Sequence, residues 1–214
     1  MIKIGKTAAK LFNDKGYLET SMNNISYATK ISKGGIYHYF NSKNEILYFI
    51  LTNYLDLGLQ NFEQELQNNT EGFSKIQFII SRQIELYIKN ISECKTLLHE
   101  VHNLPPKYLK VIAEKEKRYF QIVSGVLSDF LGYHIGKSQL TAITFSLFGM
   151  CNWIYSWYNP EGPITPQELS EIIYNIFSKG VSSYRQLKNS EPSENQLKLN
   201  STPDHLKKCL DNFM

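Results

Sequence analysis

Two histidines near the middle of the chain have the spacing of metal ligands on a helix. His99 and His102 lie three positions apart, with Glu100 between them and Cys94 nearby. Zinc sites use three or four such side chains, and this pair lacks a clear third ligand. The sequence also lacks the serine elbow, the phosphate-binding loop and the dinucleotide-binding glycine motif. We therefore predict no metal, no cofactor and no enzymatic activity, with a small metal-binding helical enzyme as a remote alternative.

The positive charge of the chain is concentrated in its first quarter. The 214 residues carry a formal net charge of +3, but residues 1–50 carry +4 and the remainder −1. A basic segment on a nearly neutral body points to a polyanionic partner.

Residues 32–40 combine small, basic and polar-tipped aromatic side chains. Small and basic residues would allow close approach to a groove of double-stranded DNA, and the aromatic tips could bond to it. Ile36 and Phe40, four positions apart, are expected to pack inward instead. The predicted contact residues of this segment are Ser32, Lys33, Gly34, Gly35, Tyr37, His38 and Tyr39.

Helical periodicity places this segment on the second of two short helices. A first helix covers about residues 1–16. Thr20 or Ser21 can cap a second helix, which turns Ile25 and Ala28 inward. Ser32 can cap the third.

A long fourth helix follows, and the two short helices before it form a helix-turn-helix. Ser42-Lys43-Asn44-Glu45 is a capping box that opens this helix, which is predicted to continue through Phe62 and Leu66.

The identities and spacing of residues over about positions 4–47 resemble those of the DNA-binding domain of TetR-family transcriptional regulators. The resemblance implies an all-helical homodimer in which three N-terminal helices bind DNA and a larger domain binds a small effector. The matching pattern is Ala8-x-x-Leu11-Phe12-x-x-x-Gly16-Tyr17-x-x-Thr20-Ser21, then Ile25-x-x-Ala28-x-x-Ile31-Ser32-Lys33-Gly34-Gly35-Ile36-Tyr37-His38-Tyr39-Phe40-x-Ser42-Lys43-x-x-Ile46-Leu47.

One position departs from that family's pattern. The turn between the second and third helices commonly carries glycine, but here it carries Lys30, which would cost roughly 1 kcal/mol if its backbone is left-handed.

We expect Lys33, Gly34, Tyr37 and His38 to lie closest to bases. The other predicted DNA contacts, which include phosphate contacts, are Thr20, Ser21, Lys30, Ser32, Gly35, Tyr39 and Lys43.

The rest of the chain reads as helices throughout. We predict three parts: a helix-turn-helix domain over 1–46, an all-α effector-binding and dimerisation domain over 47–187, and a polar tail over 188–214 with a possible short terminal helix.

Residues 138–160 are uncharged over a length that could span a membrane, but polar residues interrupt them, so a buried helix is expected. Three widely spaced cysteines and the absence of a signal peptide indicate the cytoplasm.

The last strong helix opens with a capping box, Thr165-Pro166-Gln167-Glu168. Its apolar residues would leave a stripe large enough for a second subunit, and in the resembled family the last two helices pair with their symmetry mates. The predicted dimer interface consists of Leu169, Ile172, Ile173, Ile176, Phe177 and Gly180.

A shorter pattern around Trp153, Trp157 and Pro160 is similar to the TetR branch that releases DNA on binding acyl-CoA thioesters. An apolar tunnel between helices would suit an acyl chain, and basic residues over 107–118 would suit the coenzyme A head group. A repressor of an efflux pump that responds to aromatic cations is the alternative, with Glu85, Glu93 or Glu100 neutralising the cation. The predicted effector contacts are Phe78, Ile84, Tyr87, Phe120, Phe145, Phe148, Met150, Asn152, Trp153 and Trp157.

Overall fold

The computed structural model describes residues 1–69, 72–132 and 135–190, with side chains described up to residue 184. Over these residues it is all-helical and contains no β-strand, which confirms the predicted fold class. The predicted tail over 188–214 lies almost entirely outside the described residues. The α-helices are α1 (Ile2–Lys15), α2 (Met22–Thr29), α3 (Lys33–Tyr37), α4 (Lys43–Leu59), α5 (Phe62–Gln67), α6 (Gly72–Lys89), α7 (Ile91–Glu100), α8 (Pro106–Leu131), α9 (Lys137–Asn152) and α10 (Pro166–Ser190), with short 3₁₀ turns at Val101–Asn103 and Trp153–Ser156.

The predicted fourth helix is divided into α4 and α5. It ends at Leu59, and Asn61 then adopts a left-handed conformation with φ of 56° before α5 begins. Asparagine enters this region more readily than most residues because its short side chain can bond locally. The prediction of one continuous helix through Leu66 was therefore wrong.

The chain divides into two compact units. The first unit comprises residues 1–60 and 86–115, and the second comprises 61–85 and the chain from residue 116 onward. In the first unit α1 packs against α2, α4 and α7, and α4 packs against α7. Ile4, Ala8 and Phe12 bury one face of α1, as their spacing predicts.

The buried face of α2 differs from the prediction by one residue. Ile25 is buried as expected, but Ala28 is exposed and Thr29 is buried in its place. The Thr29 hydroxyl donates a 2.7 Å hydrogen bond to the Ile25 carbonyl, so its polar atom is satisfied inside the core. The expectation that Ala28 points inward was wrong.

In the second unit, the uncharged stretch begins as helix α9. Thr144, Leu147 and Cys151 are buried on one face, while Ser146 and Gly149 are exposed. Among the described helices, none is long and apolar enough to cross a membrane.

Candidate nucleic-acid interface and ligand site

Three serine caps define the helix-turn-helix of the first unit. Ser21 Oγ accepts from Asn24 N at 3.2 Å while Asn24 Oδ1 accepts from Ser21 N at 2.9 Å, which closes a capping box on α2. Ser32 Oγ accepts from Gly35 N at 3.1 Å at the start of α3, and Ser42 caps α4. Each cap binds an amide that the first turn of a helix leaves without a partner, so the local sequence determines where these helices begin.

Helix α3 turns its apolar residue inward and its polar residues outward. Ile36 is fully buried, whereas the Tyr37 and Tyr39 side chains are 47% and 51% exposed. Because residues 20–44 contain lysines and no acidic residue, this surface is positively charged. The other exposed members of the predicted contact set are Ser21, Lys30, Ser32, Lys33, Gly34 and His38.

The two glycines of α3 serve different purposes. A Cβ at Gly34 would meet nothing within 4 Å, so that position is open to an approaching groove. A Cβ at Gly35 would lie 2.9 Å from Ile31 Cγ2, so the Ile31 side chain would have to shift to accommodate a larger residue. Gly35 is therefore favoured by packing within the unit.

Thr20 does not have the position predicted for a phosphate contact. Its side chain is 1% exposed, and its hydroxyl donates to the Gly16 carbonyl at 2.8 Å. It fastens the segment between α1 and α2 from inside. We correct the prediction for Thr20 because a buried donor with an internal acceptor is not accessible to DNA.

Lys43 is also engaged inside the unit. Its ammonium donates to the Tyr17 carbonyl at 2.6 Å and to the Leu18 carbonyl at 3.1 Å, and it lies 4.3 Å from the centroid of the Tyr17 ring. Burial lowers the pKa of Lys43, while Glu19 and Glu100 act in the opposite direction. In this structure Lys43 holds the segment between α1 and α2 rather than projecting toward a phosphate.

Tyr27 is an exposed aromatic residue that sequence reasoning missed. Its side chain on α2 is 89% exposed, the largest value among the large hydrophobic residues whose side chains the structure describes. Because Ile25 and Thr29 are turned inward, position 27, two residues from each, must point outward, so correct placement of the buried face of α2 would have revealed it. Tyr27 extends the aromatic and basic surface onto α2.

The predicted effector residues are only partly brought together. In the second unit Phe120, Phe145 and Phe148 lie within 6.3 Å of one another between ring centroids. Two residues absent from the prediction join them. Tyr119 lies 5.9 Å from Phe148 and stacks at 5.1 Å on Phe62, which in turn lies 6.3 Å from Phe78. We call these residues the aromatic cluster: Phe62, Phe78, Tyr119, Phe120, Phe145 and Phe148.

Four of the predicted effector residues lie elsewhere. Trp153 and Trp157 are 62% and 55% exposed, so they do not line an enclosed site. Tyr87 is buried in the first unit, and Met150 lies in a surface cleft on α9 and α10. Helical spacing could not reveal these placements because it does not say which element covers a face. Ile84 is buried in the second unit.

A short chain of polar side chains accompanies the aromatic cluster. The Tyr119 hydroxyl donates to Gln83 Oε1, and Gln83 Nε2 donates to Asn152 Oδ1 at 3.2 Å. The Arg82 guanidinium forms an ion pair with Glu65 and lies 5.3 Å from the centroid of the Phe62 ring. Burial raises the pKa of the Tyr119 hydroxyl, which keeps it a neutral donor. The aromatic cluster therefore combines apolar rings with a few polar groups held by hydrogen bonds, as ligand sites do.

Two of the basic residues expected to hold a coenzyme A head group already have partners. Lys115 pairs with Asp56 in the first unit, and Arg118 pairs with Glu63 at 2.6 Å in the second. Lys107 lies 4.6 Å from the centroid of the Tyr108 ring, and Lys110 is exposed.

Helix α10 divides the predicted dimer residues between two faces. Leu169 and Ile173 are buried in the second unit, which corrects their assignment to an interface, whereas Phe177 is largely buried but still lines a surface cleft. Ile172 and Ile176 are 46% and 60% exposed, and Gly180 is exposed as well. Ile176 and Gly180 also line an apolar cleft of about 260 Å³, whose other lining residues are Ile143, Ser146, Met150, Phe177, Val181 and Tyr184.

The histidine pair does not gain further ligands in the structure. His99 and His102 are exposed, and no group of three or more metal-ligating side chains occurs within residues 1–69, 72–132 and 135–190.

Two protein-family models match the chain, one in each part. Residues 4–48 match the family described as bacterial regulatory proteins, tetR family, and residues 71–181 match the tetracyclin repressor-like C-terminal domain. The first match covers α1–α3 and the start of α4, and the second covers the aromatic cluster except Phe62.

Curated relatives are transcriptional regulators. The repressor KstR2 of Rhodococcus jostii is 22% identical over 179 residues, covering 82% of this chain and 88% of that protein. The regulator HbdR of Aromatoleum sp. is 39% identical over 72 residues. That match covers 34% of this chain and 30% of that protein.

Solved structures of the same kind superpose on most of the chain. A TetR-family regulator from Bordetella parapertussis has a TM-score of 0.78 at 29% identity, covering 82% of this chain and 93% of that chain. AibR, solved in complex with isovaleryl coenzyme A and operator DNA, has a TM-score of 0.70 at 26% identity. It covers 81% of this chain and 95% of that chain.

Proposed function

Because this chain belongs to the TetR family of DNA-binding transcriptional regulators, which are not enzymes, we propose that it is a repressor released from its operator by a hydrophobic acyl thioester. The observation that carries the proposal is the exposed basic and aromatic face of the helix-turn-helix, in a chain whose second unit holds an aromatic cluster. Such a regulator acts in the cytoplasm, where operator DNA is found. Residues 1–46 form its DNA-binding part and residues 47–187 its effector and dimer part.

Helix α3 enters the major groove in this proposal. Lys33, Gly34, Tyr37 and His38 lie closest to the bases, because they occupy the exposed side of α3 or follow directly after it. The hydroxyl groups of Ser32, Tyr39 and Tyr27 contact phosphates and fix the orientation of the helix, whereas the Ser21 hydroxyl already donates to Asn24 Oδ1 at 2.8 Å.

The aromatic cluster holds the acyl part of the effector. Its rings provide an apolar wall, and Gln83 and Asn152 provide polar groups for a carbonyl. The complex of AibR with isovaleryl coenzyme A, at 26% identity, supports this class of effector.

An aromatic cation is less well supported as effector. Of the acidic residues expected to neutralise one, Glu93 and Glu100 belong to the first unit, and Glu85 is exposed. Glu65 is already paired with Arg82.

The operator is bound by a homodimer. Ile172, Ile176 and Gly180 form an exposed stripe on α10 next to the apolar cleft. Two exposed isoleucines one helical turn apart, continuous with an apolar cleft, support a surface that a second subunit covers.

The test is fluorescence anisotropy of the purified protein on the DNA upstream of its own gene. Isovaleryl-CoA, palmitoyl-CoA and ethidium are added at constant salt, because salt alone changes such affinities. Release by a thioester and not by ethidium is expected. Release by ethidium alone would favour the aromatic-cation alternative, and the absence of any DNA binding would count against the α3 face.

A matched pair of variants tests the contact face itself. Tyr37→Ala removes an exposed side chain of α3, whereas Leu98→Ala removes one of similar exposure from α7 in the same unit. We expect the first to weaken DNA binding about tenfold, in line with a lost groove contact of about 1–3 kcal/mol. The second should have no effect, and equal affinities for the two variants would remove Tyr37 from the face.

A further inference from the structure

Lys30 occupies a backbone conformation that disfavours lysine. Its φ of 57° and ψ of 30° lie in the left-handed region, where the Cβ atom crowds the following carbonyl oxygen. Within the described ranges, the only other non-glycine residue with positive φ is Asn61. Asparagine tolerates this conformation, but lysine has no local bond that would compensate. The chain thus retains a lysine where glycine would be unstrained.

The Lys30 side chain contributes no visible contact to the fold in return. The backbone N–H of Lys30 donates to the Tyr27 carbonyl at 3.3 Å, a bond that any residue would supply. The turn is also held by Ser26 Oγ, which donates to the Ile31 carbonyl, and by Ile31 N, which donates to Thr29 Oγ1. The Lys30 side chain is exposed, and its ammonium makes no hydrogen bond or ion pair within the part of the chain that the structure describes.

Lys30 stands between the two helices of the proposed DNA-binding face. Residues 20–44 contain three lysines and no acidic residue, and the Lys43 ammonium is occupied by two backbone carbonyls. Lys30 and Lys33 are therefore the two exposed lysines of this segment.

We propose that Lys30 binds a backbone phosphate of the operator DNA, and that the strained conformation is retained because this contact requires a cation in the turn. A long side chain with a point charge can reach a phosphate without recognising sequence. Strained backbone conformations are held in place by the surrounding structure, and they cluster at functional sites. The inference rests on the proposed repressor function and adds a contact that must strengthen binding to all sequences alike.

Four substitutions separate the charge from the strain. Lys30→Arg keeps both, Lys30→Ala keeps the strain without the charge, and Lys30→Gly and Lys30→Asn relieve the strain without the charge. Each protein is measured by thermal unfolding and by anisotropy from 50 to 300 mM KCl. The probe is a duplex that the native protein selects from a random-sequence library.

We expect opposite effects on stability and on DNA affinity. Lys30→Gly and Lys30→Asn should melt about 2–4 °C higher than Lys30→Ala, because they relieve the left-handed strain. All three uncharged variants should bind the duplex at least about tenfold more weakly at 150 mM salt. Their slope of log affinity against log salt should be shallower by about 0.9 for each protomer. Lys30→Arg should bind like the native protein.

Two controls make the result specific. Asn61→Gly changes the other non-glycine residue with positive φ in the described part of the chain, and Lys110→Ala removes an exposed lysine of α8. Both should leave the salt slope unchanged. An unchanged slope in the uncharged Lys30 variants, or a Lys30→Arg variant as weak as Lys30→Gly, would overturn the contact. If the native protein selects no duplex, the proposed function itself fails, and the contact with it.

Discussion

Replacing Lys43 with methionine should destabilise the first unit without removing a DNA contact. The change keeps most of the length of the side chain and deletes the ammonium, which binds the carbonyls of Tyr17 and Leu18 at 2.6 and 3.1 Å. The segment between α1 and α2 would then lose one of its links to α4, while the hydrogen bond from the Tyr17 hydroxyl to Asn44 Oδ1 would remain. Two carbonyl oxygens would be left to water, since Lys43 is half-buried.

The size of the effect follows from these contacts. A hydrogen bond from a charged donor contributes about 1.5–3 kcal/mol, and a cation near an exposed ring about 0.5–1 kcal/mol. Burial lowers the pKa of Lys43, which shows that desolvation of the charge offsets part of this gain. We therefore expect a net loss of about 2 kcal/mol, or a melting temperature lower by about 4–8 °C in a chain of this size.

The assay is urea unfolding of Lys43→Met, with Lys10→Met as the control from an exposed position of α1. DNA binding measured against salt at a temperature where both variants are folded completes the experiment. The role derived from the structure requires lower stability and an unchanged salt slope. If Lys43→Met is as stable as the native protein and its salt slope is shallower by about 0.9 for each protomer, Lys43 binds a phosphate. That result would refute the structural role assigned to Lys43.

Three further predictions concern the rest of the chain. Ile176→Asp places a charge on the exposed stripe of α10 and should convert a dimer to monomers in analytical ultracentrifugation, and an unchanged mass would exclude this surface. Burial raises the pKa of Cys94 to about 11 and of Cys151 to about 12, so in a Cys209→Ser background neither thiol should react with a disulfide reagent at pH 8 until the protein unfolds. Burial, with a contribution from Glu100, raises the pKa of Tyr17 to about 12, so the native protein should lose stability between pH 10 and 12, where the unfolded chain releases that proton first. Tyr17→Phe should lose less across that window in urea unfolding, and identical losses would contradict the assignment.

Helix beginnings were predictable because a cap is a local interaction. Ser21, Ser32 and Ser42 each accept from an amide three positions ahead, as the spacing of polar residues indicates. At the start of α10, Thr165 N donates to Glu168 Oε2 at 2.8 Å, and the reciprocal bond from Glu168 N to Thr165 Oγ1 measures 3.2 Å. All these partners lie within one helical turn.

The errors concern which partner covers a residue. Thr20 and Lys43 look like polar surface residues in the sequence, yet their donors are occupied by carbonyls of the segment between α1 and α2. Leu169 and Ile172 belong to the same apolar series, but the first is 2% and the second 46% exposed. Helical periodicity identifies the apolar face of a helix. It does not show which residues of that face pack inside the protomer and which are left for a partner subunit.

The sequence by itself determined the all-α class, the helix-turn-helix, the family and the cationic character of residues 20–44, because these depend on residue type and on spacings of a few positions. Only the tertiary structure decided which polar groups remain available. The Lys43 ammonium binds backbone carbonyls, whereas we propose that Lys30 presents its charge to DNA. This difference depends on contacts between residues about 25 positions apart. Such contacts exist only when separate helices pack together, and no local pattern encodes them.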